Sequence, residues 1–215
     1  MKNIDPAILV PKFDAILSRG LCTGLGVRGE QECIEAAVCE VLGLPHGDNP
    51  EEYVSAAVRS YKIALNDVAS WSSPHARAAG LRDLGLAQIG SRGVVDDLEF
   101  SRRLAEQHIR VLIPALFREL FPNQKALLDA AKLCEAEGTH KAAYAARAAA
   151  DVAAYAARAA AAYAADVAGA AAYAAGAADR YLRLSASIAL EILIDLKSPG
   201  AAWIAVNAVA KLRAR

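Results

Sequence analysis

The side chains on which chemistry could rest in this 215-residue chain are four cysteines, four histidines and a spread of carboxylates. Cys33 comes nearest to a nucleophile. It falls near the start of an expected helix, where the partial positive charge of the terminus favours a thiolate. His46 or His75 would serve as its base and Asp48 as the group that orients the base, giving a cysteine-dependent hydrolase or transferase. A competing reading uses the same helical phase. Cys33 lies close to the apolar stripe of Ile34 and Val41, and free cysteine is among the most buried residue types. A core thiol at this position predicts a cost of about 1–3 kcal/mol for Cys33→Ser, by burial of a poorly paired hydroxyl, and a milder effect for Cys33→Ala.

Other chemistry is harder to assemble. Zinc held by Cys22, Cys33, Cys39 and His46 would need closely paired ligands, and no CxxC occurs, so no metal is expected. Gly24-Leu25-Gly26-Val27-Arg28-Gly29 has the letters of a dinucleotide loop without a preceding strand or a surrounding βαβ unit. No cofactor is expected. Lys+Arg and Asp+Glu both number 24, for a net charge of zero. That balance argues against nucleic acid, which needs an excess of cations. It also removes the long-range repulsion that keeps copies apart. No uncharged apolar run reaches the ~18 residues of a membrane span. The N-terminus lacks the apolar run of a signal peptide, so reduced thiols in a cytoplasm are expected.

Helical elements must position these groups. Asp5-Pro6 caps and starts a first helix, to about Ser18, and a second runs from about Gln31 to Leu42. The glycine-rich stretch between them reads as a loop or short extended hairpin. Asn49-Pro50-Glu51-Glu52 starts a third helix and Ser73-Pro74 a fourth, from about His75 to Ile89. A fifth covers Val94 to Phe121, with Ile109, Leu112, Ile113, Leu116, Phe117 and Leu120 as its buried face. Pro114 must kink or divide it. Gln124 to Glu137 follows, then the alanine tract, then an apolar helix over Leu182–Leu196 and a last one to about Leu212. The fold class is all-α: a multi-helix domain over 1–122 and a long alanine-rich helical module over 123–215.

Within that module 25 of the 37 residues from Ala142 to Ala178 are alanine, the best helix former. An imperfect eleven-residue repeat keeps equivalent side chains aligned over almost three turns. At about 100° per residue, Tyr144, Tyr155 and Tyr173 share one line, with Tyr163 beside it and Arg147 and Arg158 on its flank. Ala149, Ala160 and Ala171 project to the opposite, nearly bare side. Such a face lets another backbone approach closely, while compositional drift on a tolerated helix is the bland alternative. The tract either breaks at Gly169 or Gly176 or projects to meet another helix. A homo-oligomer or a helical protein partner is therefore expected at these residues.

The stretches Leu21-Cys22-Thr23-Gly24, Cys33-Ile34-Glu35-Ala36-Ala37, Leu42-Gly43-Leu44-Pro45-His46 and Leu65-Asn66-Asp67 resemble a family of uncharacterised bacterial proteins. These share a glycine-bearing loop, a C-x-x-A-A-like helix and a downstream L-N-D. The resemblance covers about residues 20–91, implies a small helical domain, and carries no activity or functional residue with it. The expected role is a non-enzymatic structural or interaction protein, with the enzyme built on Cys33, His46 and Asp48 as the alternative.

Overall fold

A computed structural model describes residues 4–161 and 167–204, the side chains of 151–177 excepted. Among these residues the chain forms nine α-helices and no strand: α1 Pro6–Leu17, α2 Ile34–Val41, α3 Ala56–Asn66, α4 Pro74–Ala87, α5 Asp97–Gln107, α6 Ile113–Leu120, α7 Lys125–Glu137, α8 His140–Ala161 and α9 Val167–Asp195. The fold is all-α. In the glycine loop, isolated bridges join Glu32 to Leu21 and to Gly26. No helix among the described residues is long and apolar enough to cross a membrane.

The caps explain where helices begin. Asp5 accepts the Ala7 amide at 2.9 Å and Ser73 the Ala76 amide at 3.0 Å, each followed by proline at the first turn. The third helix departs from expectation. Asn49-Pro50-Glu51-Glu52 makes only a turn, with the Tyr53 and Val54 amides bonded to the Pro50 carbonyl. The helix starts instead after Ser55, whose hydroxyl meets Asp97, and Asp97 also accepts the Ala57 amide at 3.2 Å. Two acceptors at one N-terminus outweigh the cap-proline signal. α2 likewise starts at Ile34 rather than Gln31, because the Glu32 backbone is committed to the bridges.

The chain divides into two compact units. One comprises residues up to Ser101 together with those from Ala178 on; the other is Arg102–Ala177. The division falls elsewhere than the boundary expected at Pro122, which followed the change in composition. The C-terminal part of α9 packs with the first unit. Tyr61 donates to the Ser185 carbonyl at 2.8 Å, the Ser72 amide to Asp179 at 2.8 Å, and the Gly200 amide to the Ile89 carbonyl at 2.9 Å. A Cβ on Gly200 would stand 2.0 Å from the Leu86 carbonyl oxygen, so only glycine fits there. Phe13, Leu21, Ile34, Leu81, Leu84, Phe100 and Leu193 are fully buried in this unit.

In the second unit, α5 passes into a π-helical turn, His108–Leu112, and then α6. Pro114 has no amide to return to the Arg110 carbonyl, and the widened turn absorbs that loss. Ile109 and Phe117 are buried as expected, whereas Leu120 is 37% exposed. Gly138, at φ +62°, ends α7 as anticipated. Gly169 and Gly176 do not interrupt α9, which continues through the expected start at Leu182.

Candidate functional site

The residues singled out in the sequence fall in two regions, one in each unit. In the first, the glycine loop, the start of α2 and the end of α3 converge. Asn66 accepts the Ile34 amide at 3.2 Å and donates to the Cys22 carbonyl at 2.9 Å. Asp67 accepts the Gly24 amide at 3.0 Å. The three short patterns at Cys22, Cys33 and Leu65-Asn66-Asp67 are thus parts of one hydrogen-bonded staple. A small pocket of about 40 Å³ lies among them, lined by Gly24, Leu25, Cys33, Asp48, Asn66 and Asp67.

Cys33 is the N-cap of α2, and its Sγ accepts the Ala36 amide at 3.3 Å. The helix terminus acts on it as anticipated, but burial prevails and pushes the thiol up from its ordinary value. Burial also raises Cys22, and takes Cys39 to about 11. His46 turns elsewhere. Its Nε2 lies 3.2 Å from the Gly26 carbonyl and its Nδ1 3.9 Å from Glu32. Asp48 pairs with Arg59 at 2.9 Å. Cys33 and Asp48 therefore share a pocket, while His46, one of the two histidines expected as base, faces the glycine loop, and His75 is not among the residues lining that pocket. Burial of the Cys33 thiol works against the thiolate that a nucleophile needs. Among the described residues no group of three or more His, Cys, Asp or Glu side chains is placed to hold a metal.

Sequence reasoning missed the polar interior behind this staple. Glu35 of α2 and Lys62 of α3 stand 3.0 Å apart with no exposure, and Gln88 donates to Glu35 at 3.1 Å. Lys62 Nζ approaches Glu35 without hydrogen-bond geometry. Burial pushes Glu35 up and Lys62 down, each toward its neutral form and against the attraction of the pair. Enclosure keeps both from any substrate. Glu35 sits on α2, Lys62 on α3 and Gln88 just past the end of α4, so no local spacing could have signalled the cluster.

The second region is α8. Ala142 and Ala146 are buried in a core with Ile109, Phe117, Leu127, Ala130, Ala131 and Cys134, and Ala143, Ala149 and Ala150 pack against it. Tyr144, on the opposite side, is 71% exposed, and Arg147 is exposed with it. The bare alanine sector is thus a packing surface over its first turns, and the helix it packs on is α7 of the same chain. Tyr155, Arg158, Ala160, Ala171 and Tyr173 lie outside the described side chains, and Tyr163 outside the described residues.

No protein-family model, curated protein or solved structure matches the chain.

Proposed function

We propose that this is a non-enzymatic interaction protein that self-associates through the alanine-rich helix. The carrying observation is the sidedness of α8, with Ala142 and Ala146 buried and Tyr144 exposed. α7 has 13 residues and α8 has 22, about 20 Å against about 33 Å at 1.5 Å per residue. α8 therefore outruns the helix that covers its alanine face. The sequence beyond Ala150 keeps the same eleven-residue pattern, so it offers a second helix the kind of surface α7 already occupies. A second copy of this chain is the occupant that fits. Two identical alanine faces are self-complementary in shape, and a net charge of zero sets no repulsion between copies. The cysteine-enzyme alternative has less support, given a Cys33 thiol pushed up by burial and a His46 engaged elsewhere.

Solution mass across a range of concentrations tests the reading. A multiple of the chain mass is expected, reduced toward one copy by Ala160→Leu, because overpacking a helix contact costs about 1–3 kcal/mol. Ala149→Leu is the control, since it strikes the internal core and should lower stability whatever the mass. A single-chain mass at every concentration would overturn self-association. Mass that rises only when a foreign helical protein is supplied would leave a heterologous partner in its place.

A further inference from the structure

The glycine loop is closed over a second buried polar group, separate from the Glu35–Lys62 pair. Glu32 is 1% exposed. Its Oε1 accepts the Gly29 amide at 3.0 Å, and its Oε2 is buried with no hydrogen-bond partner. Glu40 Oε2 and His46 Nδ1 are buried and unpartnered in the same way. The two carboxyls lie within hydrogen-bonding reach of each other, and His46 Nδ1 is 3.9 Å from Glu32 Oε2. The His46 tautomer is fixed by its neighbour: Gly26 offers only a carbonyl, so Nε2 carries the hydrogen and Nδ1 of the neutral ring is an acceptor. The two carboxyl oxygens then face each other with no donor between them. Buried polar atoms do not stay unpaired in this way, and a single proton pairs the two carboxyls.

We propose that Glu32 and Glu40 share one proton, and that this proton latches the glycine loop to the end of α2 and the turn behind it. The resident proton sits on Glu32 Oε2 and is donated to Glu40 Oε2, leaving Glu40 as the anion. The surrounding charges favour that assignment. Arg19 Nη2 lies 3.4 Å from Glu40 Oε1, Arg28 acts on Glu40 from the loop, and Lys12 donates to the Glu40 carbonyl at 3.4 Å. Glu32 has no arginine or lysine beside it among the contacts described, only His46 at 3.9 Å. Burial, then the Glu40 hydrogen bond, raises it. Burial opposes ionisation of Glu40, but the bond from Glu32 and the charge of Arg19 outweigh it and hold Glu40 low.

Deprotonation would send the proton to solvent and leave two adjacent carboxylates beneath the loop. The Glu32 backbone anchors that loop, accepting the Cys22 amide at 3.1 Å and pairing with Gly26. Repulsion at Glu32 therefore acts on the bridges themselves, and Leu25, whose carbonyl holds the Cys33 amide, moves with them. The Arg28 bond to the Leu44 carbonyl, at 2.8 Å, and the His46 bond to the Gly26 carbonyl, at 3.2 Å, would still tie loop to turn. Stability from the raised Glu32 is complete below the ordinary glutamate value and lost as pH rises through its folded value. Stability from the lowered Glu40 is lost as pH falls through its own. The latch is closed between the two.

Residue-resolved ¹³C-carboxyl NMR titration of the full chain, with amide exchange at Cys22 and Val27 corrected for intrinsic base catalysis, tests this. Glu32 should titrate above the usual ~4.3, and Glu40→Gln should move its midpoint down. Protection at the two amides should fall across the Glu32 midpoint in wild type and stay level in Glu32→Gln, whose amide donates at any pH. A wild-type Glu32 midpoint at or below ~4.3 would overturn the shared proton whether or not the variants fold. Protection that ignores the Glu32 titration would overturn the latch.

Discussion

Glu35 and Lys62 place two charges where neither meets water, and the free-energy balance of such a pair depends on what is removed. Deleting one partner strands the other. Lys62→Met should therefore cost about 3–5 kcal/mol in urea unfolding near neutral pH, whereas Glu35→Leu with Lys62→Met should recover most of that loss. The pH dependence has a definite sign. Without Lys62, Glu35 keeps its raised value, and a raised group contributes stability below its unfolded value that is lost as pH rises through the folded one. The Lys62→Met deficit should thus shrink toward about pH 4; a deficit that grows on acidification would refute this account. Cys33 gives a second residue-scale test, in which the structure reverses the order expected of a simple core thiol. Its Sγ caps α2, so Cys33→Ser keeps an acceptor while Cys33→Ala loses one worth about 1 kcal/mol. Serine should be the milder change in equilibrium unfolding. The cap was hidden in the sequence because cysteine is not among the preferred cap residues, although its place near the helix start and its burial were both legible.

At the scale of elements, breakers and caps were readable wherever one residue acts alone. Gly138 ends α7 and Pro114 disturbs its helix, as their chemistry requires. What the sequence withheld is how the two join. The π-helical turn that accommodates Pro114 carries Arg110, and Arg110 reaches across to the open carbonyls at the end of α7. It donates to Glu135 at 2.6 Å, Ala136 at 2.9 Å and Glu137 at 2.9 Å. A guanidinium there pairs orphan carbonyls and meets the negative end of the helix. The fit constrains Gly138 twice over. Its φ is positive, and a Cβ would stand 2.4 Å from Arg110 Nε. Gly138→Ala should cost more than the ~1–2 kcal/mol of a left-handed residue with a side chain. In an Arg110→Ala background the excess should vanish, because the clash goes with the guanidinium. A double-mutant cycle by thermal or urea unfolding reads this directly. Strict additivity would mean that Arg110 and Gly138 do not share the site.

For the whole molecule, composition and contact part company. Composition shifts after Pro122 and suggests a boundary there, but α6 belongs with α7 and α8 on one side of the division and α9 from Ala178 belongs on the other. Composition varies along the chain, whereas cores form between segments far apart in sequence, and only the first is visible without a structure. The consequence can be tested by truncation. A chain ended at residue 122 keeps α1–α4 but loses Ala186, Ile188, Ala189, Ile192 and Leu193, all buried in the first unit. It also strips Tyr61 of its Ser185 partner and the Ile89 carbonyl of the Gly200 amide. Burial of one large aliphatic side chain is worth about 1.5–3 kcal/mol, so losing three of them equals or exceeds much of the ~5–15 kcal/mol that holds a typical domain together. The truncated chain should therefore melt without cooperativity and bind an apolar dye, while the full chain does neither. Gly200→Ala offers a gentler version, since it keeps every residue and only forces the segment away from the Leu86 carbonyl. It should lower the melting temperature of the first unit and leave the Ala142–Ala146 core of the second untouched in amide exchange. A cooperative melt of residues 1–122 at the full-length temperature would restore the boundary at Pro122 and remove the C-terminal segment from the first core.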